Sequence, residues 1–393
     1  MVVRPRDAGR TTQRQQERDT SMAWVEKRGD MWRVRFRNPD GSVATDSAHP
    51  TKTAASTRAN AIETDQQRDV FINPEHGRIT LNEWVEQWLD AHDVGASTFE
   101  RYRSHLDIHI LPRFGDTPLN AITRMAVKRW VKDLNQRRAD STVASILSLF
   151  SMVMGEAVEE RRITMNPCRR LRNTSLHRPE RPWANPTQVN EIASRITPPN
   201  DTMIITAAYT GMRWGELAGL RRPNCKLGDG RILIDPDEGA LHEVGGHLTL
   251  GPPKTPAAVR DILLPPFLIE LLRTHLDNHD HDHVFTGRDG GLHRRSSFHR
   301  RHWRPATDGN PTTGIPAIIR GLHFHDLRHS HKTWLIEDDV PEVAQAKRLG
   351  HRLPGIRGIY SHVSPLVEQR LVDRLQARWE RTPRPAAGDN LGN

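Results

Sequence analysis

Three short stretches in the C-terminal half carry side chains suited to handling a phosphate group. In Thr210-Gly211-Met212-Arg213-Trp214-Gly215-Glu216-Leu217, a glycine lets a tight turn lead into a helix, with Arg213 in its first turn and Glu216 three residues on. A guanidinium is always charged and its fork matches two phosphate oxygens, and Glu216 on the same helix face can orient it. The same two residues can equally be a surface ion pair of little energetic weight. In His323-Phe324-His325-Asp326-Leu327-Arg328-His329, a helical reading makes His325 and Arg328 project together while Leu327 turns to the core. An imidazole beside a guanidinium suits acid-base work next to a phosphate; His329 reads as structural. The third stretch is Leu349-Gly350-His351, whose glycine is placed to cap a helix, followed by Ile359-Tyr360-Ser361-His362-Val363. Tyr360 is one of three tyrosines in the chain, and a lone tyrosine is far more often a packing residue than a nucleophile.

Taken in that order, TGMRWGEL, HDLRH and LGH nine positions before a tyrosine resemble the tyrosine recombinase, or phage integrase, family. The diagnostic motifs all lie in the last domain. The succession of a small sheet, a helical bundle and a catalytic domain is also similar to integrases with an arm-binding N-terminus. The resemblance implies that Arg213 is the first catalytic arginine, His325 and Arg328 the middle pair, His351 the second histidine and Tyr360 the nucleophile. It also implies a hairpin lysine between the first arginine and the middle pair. Lys254, in Gly251-Pro252-Pro253-Lys254-Thr255-Pro256, fits that place, although a lysine beside prolines is common in any loop.

Phosphodiester exchange gives these residues distinct tasks. A phenol with an ordinary pKa of about 10 must lose its proton while attacking a phosphorus ringed by negative oxygens. Arg213 and Arg328 are suited to hold the non-bridging oxygens, His325 to receive the phenolic proton, Lys254 to protonate the departing 5′ oxygen and His351 to hydrogen-bond the phosphate. The product is a 3′-phosphotyrosyl link that stores the bond energy for rejoining, so no ATP is needed. No acidic triad or Walker-type loop demands a metal or nucleotide, and no cofactor is expected. His275, His279, His281 and His283 crowd residues 274–284, and His-rich tracts can bind metal. Their alternation with Asp and Asn reads instead as a surface loop before a Val284-Phe285 strand.

These residues must be positioned by a chain of 393 residues, too long for one small core. Its formal net charge of +9 and pI of about 10.0 favour a polyanionic partner. No run of about 18 apolar residues is present to span a bilayer, and the polar start lacks the apolar stretch of a secretory signal. Cys168 and Cys225 are far apart, without zinc-finger spacing, and read as reduced thiols. The expected compartment is the bacterial cytoplasm, at the nucleoid.

Residues 1–20 carry almost no large apolar side chains and read as a disordered arm. In residues 21–72, Trp32, Val34 and Phe36 alternate with Arg33, Arg35 and Arg37, giving a three-stranded antiparallel sheet followed by a helix over 52–70. The arginine face can lie in a DNA groove as an arm-type binding domain, or can simply be solvated. Residues 78–165 form a helical core-binding domain. Thr80 and Glu83 box the start of a helix carrying Leu81, Trp84, Val85, Trp88 and Leu89. Further helices are expected over 98–109, 123–136 and 141–160, with Pro112 and Pro118 marking the break after the first of these. Arg101, Arg103 and Lys128, like Arg129 and Lys132, are either phosphate contacts or solvated surface. Residues 166–182 form an Arg/Pro-rich linker expected to track DNA.

Residues 183–381 form the catalytic domain, opened by Asn185 and Pro186 at a helix start, with short strands at 231–235, 248–250 and 261–264. Ser364 and Pro365 begin a last helix with Leu366, Val367, Leu371, Val372 and Leu375 spaced for burial. Family members often pass such a helix to a neighbouring protomer. The resemblance therefore implies a homotetramer on synapsed DNA, with packing in cis as the alternative. Residues 382–393 read as a disordered tail. The expected fold class is multidomain: a small N-terminal antiparallel β-sheet plus helix, an all-α core-binding bundle and a mainly α (α+β) catalytic domain of the tyrosine recombinase type.

The function this implies is a site-specific DNA recombinase that inserts and excises a phage or mobile element. It would bind double-stranded attachment sites, the arm sites through the sheet domain and the core sites between the other two domains. A directionality factor or a host DNA-bending protein is a candidate partner. Two alternatives stand beside it: a recombinase of the same chemistry serving dimer resolution or transposition, and a non-catalytic DNA-binding protein on a decayed scaffold. Retention of all six candidate residues speaks against the last.

Overall fold

The computed structural model describes residues 23–38, 41–68, 71–171, 180–287, 289–353 and 362–383. The expected arm over 1–20, nearly all of the expected tail, and Tyr360 lie outside the described residues. The chain divides into two units, Met1–His177 and Arg178–Asn393.

In the first unit, period-two alternation builds an antiparallel sheet of β1 (Ala23–Arg28), β2 (Met31–Arg37) and β3 (Val43–His49), in the order β1-β2-β3. Alternate side chains of a strand face opposite sides. Val34 and Phe36 are therefore fully buried against Ala55, Ala59 and Ile62 of α1 (Lys52–Gln67), while Arg33, Arg35 and Arg37 lie on the other face, partly exposed. The Thr51 hydroxyl accepts from the Ala54 N–H to start α1, and Arg58 pairs with Asp46 of β3 at 2.7 Å.

The helical bundle follows. Thr80 and Glu83 form the expected capping box at the head of α2 (Leu81–Ala91), burying Leu81, Trp84, Val85, Trp88 and Leu89. The next helix departs from expectation: α3 (Ala96–His105) does not break at Pro112 but continues through a wide turn, Leu106–Ile110, into Leu111–Phe114. Within that turn the Leu111 N–H reaches back to the Leu106 carbonyl. Pro112 then falls in the first turn of the final segment, where its missing N–H costs little. Two further helices, α4 (Arg124–Asn135) and α5 (Asp140–Glu159), complete the bundle. The length and hydropathy of α5 would suffice to cross a membrane. Here Val143, Ile146, Leu147, Phe150, Val153 and Met154 are core, and the Trp84 indole donates to the Val153 carbonyl at 3.0 Å. Ile163 and Cys168 are also buried in this core and Leu171 packs on it. The beginning of the expected linker over 166–182 is thus part of the bundle.

The second unit opens with α6 (Pro186–Ser194), boxed by Asn185 and Gln188, then α7 (Asn200–Thr210) and the short α8 (Trp214–Ala218). Strands β4 (Cys225–Lys226), β5 (Arg231–Ile234) and β8 (Arg260–Leu263) form one antiparallel sheet, and β6 (Ala240–Val244) with β7 (His247–Gly251) form a separate hairpin. After β8 come α9 (Pro266–Asp277) and a broken helix of Arg295–Phe298, His299–Trp303 and Arg304–Asp308. The last three are α10 (Asp326–Glu337), α11 (Glu342–Leu349) and α12 (Pro365–Glu380).

Two expectations change here. His275 is not on a surface loop: it is buried in α9 with Nε2 bonded to the Val284 carbonyl at 2.6 Å, and Val284-Phe285 is a buried bend rather than a strand. Among the described residues no His/Cys/Asp/Glu group is arranged to hold a metal. The last helix packs in cis. Leu371, Val372 and Leu375 are buried in its own unit, and Trp379 stacks on Phe267 at 4.1 Å, while Leu366 is left exposed.

Candidate active site

Two glycine turns bring the ends of α7 and α11 together. Gly211 caps α7 at φ +66, and a Cβ there would meet Leu349 at 2.7 Å and the His331 ring at 2.9 Å. Gly350 caps α11 at φ +64, and a Cβ there would meet the Ala257 carbonyl at 2.8 Å. Only glycine satisfies both the left-handed backbone and the close approach. Past the first turn, Arg213 is the N-cap of α8 rather than a member of its first turn. Its backbone N–H donates to Glu216 Oε2 at 3.0 Å and its Nη1 to Oε1 at 2.7 Å, while Nη2 reaches the Gly350 carbonyl at 3.4 Å. Glu216 is only 2% exposed, which removes the surface-pair reading.

Arg328 on α10 is 5% exposed and grips both turns. Nη1 donates to the Gly211 carbonyl at 2.5 Å, and Nη2 donates to the Leu349 carbonyl and to His351 Nε2, the latter at 2.8 Å. As an acceptor, His351 is a neutral imidazole; partial burial and the charges of Arg328 and Arg213 push its pKa down to about 4. Burial, then the like charges of Arg213 and Arg260, push Arg328 down to about 9. His325 caps α10 instead of lying inside it, and desolvation followed by the Arg328 charge lowers its pKa. Burial raises the Glu216 carboxyl, but the Arg260 charge and the hydrogen bonds from Arg260 and Arg213 override it and hold the group below the usual carboxylate range.

A cleft of 530 Å³ runs from this point, lined among others by Arg213, Trp214, His242, Glu243, Arg295 and His325. It joins Arg213 to His325, which share no direct bond. Lys254 lies exposed in the connection between β7 and β8, apart from these hydrogen bonds. Of the other two tyrosines, Tyr209 is fully buried among Phe267, Trp334 and Trp379, and Tyr102 packs on the bundle near Trp88. In the first unit, Arg101 and Lys128 are exposed, Arg101 lying over the Tyr102 ring, while Arg103 is bound to Glu86 and Asp107 at 2.7 and 3.3 Å. Arg35 makes a loose pair with Glu26 at 3.4 Å.

The model described as the phage integrase family matches residues 183–366, and that of the phage integrase N-terminal SAM-like domain matches residues 80–135. Over 349 residues the chain is 30% identical to the prophage phiRv2 integrase of Mycobacterium tuberculosis, a match covering 85% of this chain and 89% of that protein. The chain belongs to the phage integrase family. It is a site-specific DNA recombinase of the tyrosine type. Its fold is similar, at a TM-score of 0.61 and 17% identity, to the Tn1549 transposon integrase in complex with a circular intermediate DNA, covering 76% of this chain and 99% of that one. A lambda integrase tetramer bound to a Holliday junction is similar at a TM-score of 0.52 and 16% identity, covering 87% and 98%.

Three residues of this integrase's site escaped the sequence reading. Arg260 on β8 and Arg348 on α11 are 8% and 6% exposed, and His331 on α10 is fully buried. Arg348 donates through Nε to His331 Nε2 at 2.9 Å, through Nη1 to the Leu263 carbonyl at 2.9 Å and through Nη2 to the Tyr209 carbonyl at 2.8 Å. Burial and then the Arg260 charge push Arg348 down to about 9, while burial and Arg348 hold His331 well below the usual imidazole range. His329, expected to be structural, is on the surface; His331 takes the buried place instead. A signal for Arg260 existed, since it shares a strand face with the buried Ile262.

Proposed function

We propose that this recombinase integrates and excises a phage or other mobile element, cutting each strand with the hydroxyl of Tyr360. The phenolic oxygen attacks the scissile phosphorus, the bond to the 5′ oxygen breaks, and a 3′-phosphotyrosyl link forms. His325 receives the phenolic proton, and Lys254 supplies a proton to the leaving 5′ oxygen. Arg213 and Arg328 hold the non-bridging oxygens with His351 beside them, neutralising charge that builds in the transition state. A 5′ hydroxyl from the partner strand then attacks the same phosphorus, Tyr360 leaves, and the backbone is restored without ATP.

One observation carries this reading: the guanidinium groups of Arg213 and Arg328 reach the carbonyls of the two glycine turns, Arg260 and Arg348 are buried beside them, and among the described residues Glu216 is the carboxylate hydrogen-bonded to the set. Such a centre holds more positive than negative charge, and a phosphate supplies the balance. Packing of Tyr102 and Tyr209 elsewhere supports the choice of Tyr360 as the tyrosine for the chemistry.

The arginine face of the N-terminal sheet (Arg33, Arg35, Arg37) is assigned to arm sites, and Arg101, Arg103 and Lys128 to the backbone of core sites. Arg103 would first have to leave its two carboxylates, which makes Arg101 and Lys128 the stronger contacts. The working assembly is a homotetramer on synapsed DNA in the bacterial cytoplasm, with a directionality factor or a DNA-bending protein biasing the outcome. In the single chain the apolar face of α12 packs within its own unit, so passing this helix to a neighbouring protomer would first displace that packing. The domain limits proposed are those of the sheet (21–72), the bundle (78–165) and the catalytic domain (183–381), the bundle extended to Leu171 by its packing.

The test is a nicked core-site duplex that traps the covalent intermediate. Wild-type protein is expected to become attached to a 3′ phosphate, and Tyr360→Phe to bind the duplex normally without attachment. An adduct that survives in the variant would remove Tyr360 from the mechanism. A wild type that shifts DNA but never attaches would leave only the binding-protein alternative.

A further inference from the structure

Arg260 is among the least exposed charges in the second unit, and its bonds lead to both sides of the site. On one side Nη2 donates to Glu216 Oε2 at 3.0 Å and Nη1 to Oε1 at 3.3 Å. On the other, Nε donates to the Arg348 carbonyl at 2.7 Å, at the last turn of α11 that leads into Gly350 and His351. Nη1 also donates to the Ala258 carbonyl at 2.6 Å, which anchors the guanidinium to its own strand entry. Its Nη1 lies 3.0 Å from where a Gly350 Cβ would stand. One buried side chain thus fixes the carboxylate that orients Arg213 and the turn that presents His351.

The sharing of Glu216 has an electrostatic consequence. Each of its oxygens takes one bond from Arg213 and one from Arg260. With Arg260 present, Glu216 orients Arg213 without spending its whole charge there, so Arg213 keeps positive potential for an anion. With Arg260 gone, the carboxylate turns wholly to Arg213 and neutralises the charge that should meet the phosphate.

We infer that Arg260 is a positioning residue for strand cleavage, holding Glu216 and the α11 turn so that Arg213 and His351 meet one phosphate oxygen set together. The inference rests on the reading of Arg213 as a phosphate-holding residue. It adds a residue that touches no DNA in this account and acts only through others.

The experiment uses the full chain and two nicked core-site duplexes, one with an ordinary scissile phosphate and one with a neutral methylphosphonate there. On the ordinary duplex, Arg260→Met is expected to slow adduct formation by about 30- to 100-fold, the scale of a slightly misplaced catalytic group. DNA binding by mobility shift should stay within about threefold of wild type, since Arg260 is buried. On the methylphosphonate, where one charged non-bridging oxygen is replaced by methyl and less charge needs neutralising, the deficit should shrink to within about fivefold. Arg260→Lys keeps the charge but cannot make the four bonds together; it should show an intermediate deficit with the same dependence on substrate charge. It also carries the comparison if the methionine variant fails to fold. An equal loss on both duplexes, or no loss on the ordinary one, overturns the inference while leaving Tyr360 chemistry intact. Absence of any wild-type adduct overturns the recombination mechanism and the inference with it.

Discussion

Replacing Glu216 by glutamine tests whether the site is held by one buried carboxylate. The side chain is 2% exposed and accepts four bonds, from the Arg213 backbone and guanidinium and from both Arg260 Nη atoms, at 2.7 to 3.3 Å. Glutamine keeps the shape, but its NH₂ group confronts a guanidinium where an oxygen used to accept. It also leaves Arg260, whose side chain is 4% exposed, with no counter-charge. Breaking a buried pair from one side costs about 3–5 kcal/mol. For a unit of this size, each kcal/mol moves the midpoint by roughly 2–4 °C, so a drop of about 10 °C is expected by calorimetry. The double variant Glu216→Gln, Arg260→Met removes both buried charges and should be less destabilised than the sum of the singles by about 2 kcal/mol. The pH dependence has a definite sign. The folded Glu216 pKa is depressed, so its stabilisation is present above the unfolded value of about 4.3 and is lost as pH falls through the folded value. Wild type should therefore lose stability below about pH 4.3 more steeply than Glu216→Gln. A variant within about 1 kcal/mol of wild type, or strictly additive singles, would refute the argument that Glu216 is the organising anion.

Gly350→Ala should cost about 2–3 kcal/mol in urea unfolding, because a left-handed backbone and the Ala257 carbonyl at 2.8 Å both oppose a Cβ. Gly29→Ala, with φ +58 but open space, should cost about 1 kcal/mol. For His351 the folded pKa is about 4 against an unfolded value of about 6.5, so the stabilisation it lends is complete above pH 6.5 and is lost as pH falls toward 4. His351→Asn should flatten the stability profile across that window, by an amount reduced by solvent because the residue is exposed. Thr80→Ala removes the reciprocal cap of α2 and should lower bundle stability by about 1 kcal/mol without changing the rate of cleavage per bound protein.

Local rules made most elements legible. The Thr80–Glu83 and Asn185–Gln188 boxes marked two helix starts, and Val34 and Phe36 alternating with arginines gave a sheet with one buried face. Arg213, Arg328 and His351 were singled out by the resemblance to the integrase family rather than by local rules; the structure brings these three together around the two glycine turns, while His325 meets Arg213 only across the cleft. What local rules missed was set by tertiary partners. Pro112 reads as a helix break, yet the wide turn before it absorbs the missing donor. Cys168 reads as linker until the bundle core covers it. Buried arginines resemble surface arginines in a sequence, because burial depends on carbonyls such as those of Tyr209 and Leu263, contributed from distant segments.

Those buried arginines also explain how a site can wait for an anion without collapsing. Arg328 and Arg348, both pushed down to about 9, remain charged at neutral pH. Against a free guanidinium of about 12.5, each carries a penalty on the order of 5 kcal/mol relative to the unfolded chain. Backbone carbonyls at Gly211, Leu349, Leu263 and Tyr209 offset part of that cost with directed dipoles, but none carries a full negative charge. The surplus therefore persists in the folded protein, where a low surrounding dielectric amplifies its attraction for a phosphate. Arg213 is the outermost of the set, 27% exposed, and is the member from which that attraction can reach a ligand. The interior arginines would then raise the potential at Arg213 without touching the DNA, while Glu216, bonded to both Arg213 and Arg260, fixes their places without cancelling the surplus.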